Sequence, residues 1–132
     1  MNFSWELSIV IVTVINIFLG MFWYSPLFLG KVWARAHQFN LKNLKPGVWS
    51  YVGSISVSFV QATVLAFIIH QFDVATWQNG MLFGLCLWLG LVVPSHFSGV
   101  IWAKKPILVY FIDTAYLLCS IVMMTTLLTY LH

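Results

Sequence analysis

Four long apolar runs dominate the chain, and the short segments between them hold nearly every charge. The first, LSIVIVTVINIFLGMFWY, covers 7–24; the others cover 51–69, 79–97 and 107–130. Each is long enough to cross a ~30 Å hydrocarbon layer as a helix, the first with help from interfacial aromatics. Barrel strands would alternate with a period of two over about ten residues, and these runs do not alternate. The expected fold is therefore an all-α membrane protein: four transmembrane helices in one transmembrane domain over 1–132. In the first connecting segment, Ser25 and Pro26 read as an N-cap and N1 pair opening a short interfacial helix over 26–38. Lys31, Arg35 and Gln38 would share one side of it, with Leu29, Val32, Trp33 and Ala36 on the other. Such a helix either lies among headgroups with its cations toward anionic lipid or simply caps the bundle. The stretch FNLKNLKPG over 39–47 reads as a loop.

Composition makes the same point from the surface inward. Hydrophobic residues are 61% of the 132 and charged residues only 7%, against roughly 25% charged in an ordinary soluble domain. Lipid must solvate much of this surface. All six Lys and Arg (Lys31, Arg35, Lys42, Lys45, Lys104 and Lys105) fall between helices one and two or between three and four. Glu6 and Asp73 fall on the opposite side, so the positive-inside rule places both termini outside the cytoplasm. Lys31, Arg35, Lys104 and Lys105 are the expected headgroup contacts. Trp5, Trp77 and Tyr130 then form an outer aromatic belt, and Trp23, Tyr24, Trp49, Tyr51 and Trp102 an inner one. Trp88 fits neither belt and is expected to pack in helix three, its indole N–H needing a partner. The cations are too few and too enclosed for nucleic-acid binding. Cys86 and Cys119 lie inside apolar runs, favouring buried free thiols over a disulfide. No metal motif and no cofactor motif is present, and the acidic flank of helix one is wrong for a signal peptide, so that segment is expected to be retained.

Polar residues inside the spans are the candidates for function. Asp113 lies about seven residues, ~10 Å, inside the fourth span, too deep for a carboxylate facing lipid. It is expected to face the interior, either as a structural hydrogen-bonding group or as a functional one. Asn16, Ser58, Gln61, His96 and Tyr116 lie at comparable depths. Ser54, Ser58 and Gln61 share a helix face by spacing, as do Asp113 and Tyr116. Asn16 or Gln61 would then donate to the Asp113 carboxylate, and His96 would relay a proton or meet headgroups. Pro94 lacks the N–H that would bond Gly90, so the two mark a kink, which either merely bends helix three or frees carbonyls to line a site. Gly20, Gly53, Ser54, Ser58 and Gly84 suit close helix packing.

Asn16, Leu19, Gly20, the WYSP of 23–26, Gly30, Lys31 and Trp33 resemble the opening of a family of small bacterial membrane proteins, domain of unknown function 1761. Trp88, Leu89, Gly90 and Pro94, then Lys105, Pro106, Asp113, Ala115 and Tyr116, resemble its second half, with Leu117 standing where the family favours histidine. The resemblance implies a four-helix protein of the bacterial inner membrane and no particular activity, and it links the Asn16 and Asp113–Tyr116 regions as one unit. No catalytic constellation accompanies these residues, so the expectation is a noncatalytic protein acting through a homo-oligomer or another membrane protein. The alternative is a small proton-, cation- or amine-linked transporter using Asp113 within an oligomer. An enzyme acting on lipid, with Asp113, His96 and Tyr116 as acid–base groups, lacks a nucleophile or phosphate loop to support it.

Overall fold

The computed structural model describes residues 2–38 and 47–132. Lys42, Lys45 and the loop expected over 39–47 fall, except for Gly47, outside the described residues. Within them the chain forms α1 (Trp5–Trp23), α2 (Gly30–Ala36), α3 (Val48–Gln71), α4 (Trp77–Leu87), a π-turned segment (Trp88–Val92), α5 (Val93–Trp102) and α6 (Ile107–Leu131). Four of the resulting rods, with α4 through α5 counted as one, are long and apolar enough to cross a membrane. The chain is therefore a multi-pass membrane protein. The first three spans begin two or three residues before their expected starts, the fourth begins at Ile107 as expected, and the third runs on to Trp102.

Caps explain two of these starts. Ser4 accepts from the Leu7 N–H and Thr76 from the Asn79 N–H, so each hydroxyl satisfies one of the donors left free in a first turn. The expectation for α2 needs correction. Ser25 does not cap it: its hydroxyl donates to the Phe22 carbonyl at 2.7 Å, and residues 25–29 form turns closed by Phe28 N–H to Ser25 O and Leu29 N–H to Trp23 O. Helix begins only at Gly30, whose N–H bonds the Ser25 carbonyl at 2.9 Å. A Cβ there would lie 2.6 Å from the Ser25 carbonyl oxygen and closer still to that of Tyr24. The chain turns so tightly over the end of α1 that only glycine fits.

Helix α6 is the hub. It packs against α1, α3 and α4, while α1 and α3 pack against each other on one side of it. Pairing runs antiparallel: Phe3 N–H bonds Leu131 O at one end of α1 and α6, while Tyr24 meets Asp113 at the other. The apolar core lies near the Glu6–Asp73 end, where Val12, Ala62, Leu65, Ala66, Ile69, Met124 and Leu128 interlock. There Trp5 stacks on His132 at 3.8 Å and stands edge-on to His70. The α4 rod leans on α6 through Gly80 and Gly84. Those two glycines sit one turn apart against Thr129 and Thr125, letting the backbones close up. Of the four spans this third one is least covered: 11% of its apolar window is buried, against 22% for the first two and 28% for the last.

The expected Gly90–Pro94 kink takes the form of a π-turned segment. The Val93 N–H reaches back five residues to the Trp88 carbonyl, inserting one extra residue ahead of the proline, whose ring and missing N–H disrupt ordinary winding. Gly90 itself has open space around it. Gly53 also has nothing near it and Ser54 is exposed, so neither packs helices together as expected; Gly20, Ser58 and Gly84 are in contact. Cys86 and Cys119 are free thiols, as expected, but lie on outward faces rather than buried.

These environments predict opposite outcomes for two alanine substitutions. In Gly84→Ala the new methyl meets backbone, Val122 Cα at 3.0 Å and the Ile121 carbonyl at 3.2 Å, and stability should fall by ~1–3 kcal/mol. Gly53→Ala meets nothing and should gain ~0.5–1 kcal/mol from reduced backbone entropy. Reversible unfolding in mixed micelles measures both.

Candidate functional site: a polar seam between the first and last spans

An amide in hydrocarbon must find its own partners, since no water will serve. Asn16, near the middle of α1, does so on two other helices. Its Nδ2 donates to Ser58 Oγ on α3 at 2.9 Å, and its Oδ1 accepts from Ser120 Oγ on α6 at 2.5 Å. Asn16 and Ser120 are each 1% exposed, so this three-helix junction is sealed. One turn further along α1, Gly20 leaves room for Tyr116, whose hydroxyl would lie 3.0 Å from a Cβ placed there. That hydroxyl faces Asn16 and Ser120. Another turn on, Tyr24 Oη donates to Asp113 Oδ1 at 2.6 Å. Asn16, Gly20 and Tyr24 thus repeat at four-residue spacing along α1 and meet Ser120, Tyr116 and Asp113 in reverse order along α6.

Tyr24 lies one residue beyond the end of the α1 span. Burial, and then its hydrogen bond to Asp113, push its phenol well above the ordinary range, so it remains a donor throughout physiological pH. Its ring stands edge-on to Trp33 of α2 at 5.4 Å and to Tyr116 at the same distance. The inner aromatic belt consequently divides. Trp49, Tyr51 and Trp102 are exposed as expected, whereas Tyr24 and Trp23 turn inward, Trp23 packing near Phe28 and Tyr116.

Of the residues expected to share a polar site, Asn16, Ser58 and Tyr116 come together, and Asp113 joins the same seam through Tyr24. Asn16 does not donate to Asp113: its amide nitrogen donates to Ser58, and opposite it on α6 stands Ser120, seven residues from Asp113. Gln61 is half-buried and makes no hydrogen bond among the described residues. His96 folds back on its own helix, Nδ1 standing 3.1 Å from the Val92 carbonyl, and is bonded to none of the other candidates. Trp88 finds the partner its indole needs in the Thr114 carbonyl at 2.7 Å. Lys31, Arg35, Lys104 and Lys105 are all exposed. No cluster of three metal-ligating side chains occurs among the described residues.

Two members of the seam were not expected. Ser120 lies four residues after Tyr116 and seven after Asp113, and Tyr24 lies eight after Asn16, so helical spacing carried both signals. Ser120 is hidden by the frequency of serine in membrane helices, and Tyr24 by its place among interfacial aromatics.

The sequence model of a family described as protein of unknown function, DUF1761, matches residues 7–129. The chain belongs to that family. The match includes every residue of the seam, from Asn16 to Ser120. No curated protein and no solved structure matches the chain.

If the Asn16 junction is one cooperative unit, Asn16→Ala and Ser120→Ala should be non-additive by ~0.6–1.7 kcal/mol, the range of interhelical hydrogen bonds in bilayers. A double-mutant cycle on unfolding measures it. Tyr24 predicts a pH effect. Its folded phenol holds a proton more tightly than the unfolded one, so its contribution is complete below about pH 10.0 and declines as pH rises from there. Tyr24→Phe should therefore flatten the alkaline fall in stability relative to the wild type and leave the pH dependence between 6 and 9 alone, roughly speaking.

Proposed function

We propose that the chain is a noncatalytic protein of the bacterial cytoplasmic membrane that acts by associating, with a second copy of itself or with another membrane protein. Its termini lie on the extracytoplasmic side and its basic segments in the cytoplasm, following the charge asymmetry. The observation that carries this reading is the coverage of the spans. The α4–α5 rod packs mainly on α6, and the first ten residues of α3, Val48 to Val57, are exposed on every side. Meanwhile the most deeply buried polar groups, Asn16, Ser58 and Ser120, satisfy one another, which suits a scaffold better than a binding cavity.

One observation favours a second reading. Asp113 is half-buried and accepts a single hydrogen bond among the described residues, at Oδ1, leaving its other oxygen without one. A proton, cation or amine bound there within an oligomer would make the protein a small transporter.

Mass measurement of the protein in mild detergent or native-lipid discs tests association. A dimer, a larger assembly or a stoichiometric membrane partner is expected; a monomer of full stability overturns the reading. For the second reading, proton or amine flux in proteoliposomes should collapse in Asp113→Asn, and equal flux in that variant removes it.

A further inference from the structure

The short helix α2 presents two kinds of surface. Gly30 and Ala34, one turn apart, are buried, and Trp33 rests against Tyr24 and against His37 at 4.6 Å, so this side is fastened to the ends of α1 and α6. Lys31 and Arg35, also one turn apart, are exposed and form no ion pair among the described residues. Exposed apolar side chains surround them: Leu27 at 91%, Phe28 and Val32. At the same end, Lys104 and Lys105 follow Trp102, itself 84% exposed, and the stem of Lys105 lies across Gly99. Glu6 and Asp73 belong to the opposite end, and Asp113, the only other acid in the sequence, is engaged by Tyr24. This end of the molecule thus carries four exposed cations against one half-buried carboxylate, Asp113, which is bonded to Tyr24 and pairs with none of them among the described residues.

We propose that α2 is a docking site for the headgroup of an anionic phospholipid, with Lys31 and Arg35 as the phosphate-binding pair and Leu27, Phe28 and Val32 reaching into the acyl region. Charge complementarity calls for an anion, and the interleaving of cations with exposed apolar side chains, Leu27 above all, calls for an amphiphile rather than an acidic protein surface. Fastening through Gly30, Ala34 and Trp33 holds the pair at one-turn spacing before lipid arrives, so little ordering remains to oppose binding. Lys104 and Lys105, on a turn where Lys104 adopts φ 53°, add attraction from the neighbouring loop. Tyr24 is the link inward: it touches Trp33 on α2 and bonds Asp113, so lipid on α2 braces the cytoplasmic rung of the seam.

The full-length protein in detergent, titrated with phosphatidylglycerol or phosphatidylcholine and read by native mass spectrometry, tests the assignment. Wild type should retain phosphatidylglycerol in preference. K31Q/R35Q should lose about 30-fold in that affinity, the sum of two interfacial cations, while K31R/R35K retains it. Both side chains are exposed, so K31Q/R35Q should melt as wild type does in phosphatidylcholine, separating lost binding from lost folding. Inorganic phosphate at matched concentration should not displace the lipid; displacement would reassign the site to free phosphate. Equal retention of the two lipids, undiminished binding by K31Q/R35Q, or a loss confined to K104Q/K105Q would each overturn the proposal.

Discussion

A hydrogen-bonding amide in the middle of a hydrocarbon layer constrains everything around it. Asn16 has no water to fall back on, so α3 and α6 must each bring a hydroxyl to it, and Ser58 and Ser120 are the residues that do. Meeting that requirement fixes the axial position of three helices at once. With α1 and α6 antiparallel and Asn16 opposite Ser120, helical geometry leaves Gly20 opposite Tyr116 and Tyr24 opposite Asp113. A slip by one turn would put the tyrosine ring against Asn16 or Tyr24 and strand the carboxylate. Apolar packing of Val12, Met124 and Leu128 adds contact at the other end of the same interface, but near-uniform aliphatic surfaces tolerate sliding in a way that directional bonds do not.

The second interface of α6 is governed by size. Gly80 and Gly84 bring the α4 backbone against Thr125 and Thr129, whose hydroxyls bond carbonyls of their own helix and so ask nothing of α4. Beyond Leu87 the π turn and Pro94 alter the winding before α5. Trp88 anchors that transition to α6 through the Thr114 carbonyl. One helix therefore offers a polar, register-setting face to α1 and α3 and a close-packed face to α4, which leaves much of the third rod and the start of α3 uncovered. The uncovered surface is the physical basis of the proposed association.

Much of the architecture was legible in the sequence because bilayer thickness demands continuous apolar runs, and four such runs can be counted. The depth of Asp113 and Asn16 was legible for the same reason. Their partners were not. An interior face depends on how helices are rotated toward one another and on how far they overlap, and uniformly apolar spans carry little periodicity from which to infer either; hence Ser54 and Gly53 looked equivalent to Ser58 although the start of α3 is uncovered, and so did Gln61, which is only half-buried. The start of α2 was misplaced because Ser25–Pro26 satisfies the local grammar of a helix N-terminus, while the tight return over Tyr24 that delays the helix to Gly30 depends on tertiary contact. Tyr24 itself looked interfacial, and only the neighbouring helix reveals that it turns inward to a carboxylate.

The register of α1 against α6 is the claim on which the rest stands, and paired cysteines in native membranes test it most directly. With Cys86 and Cys119 replaced, Asn16→Cys combined with Ser120→Cys should cross-link within one chain on oxidation with copper phenanthroline, whereas Asn16→Cys with Asp113→Cys should not, lying two turns out of step. Cross-linking of the second pair, or of neither, would contradict the seam.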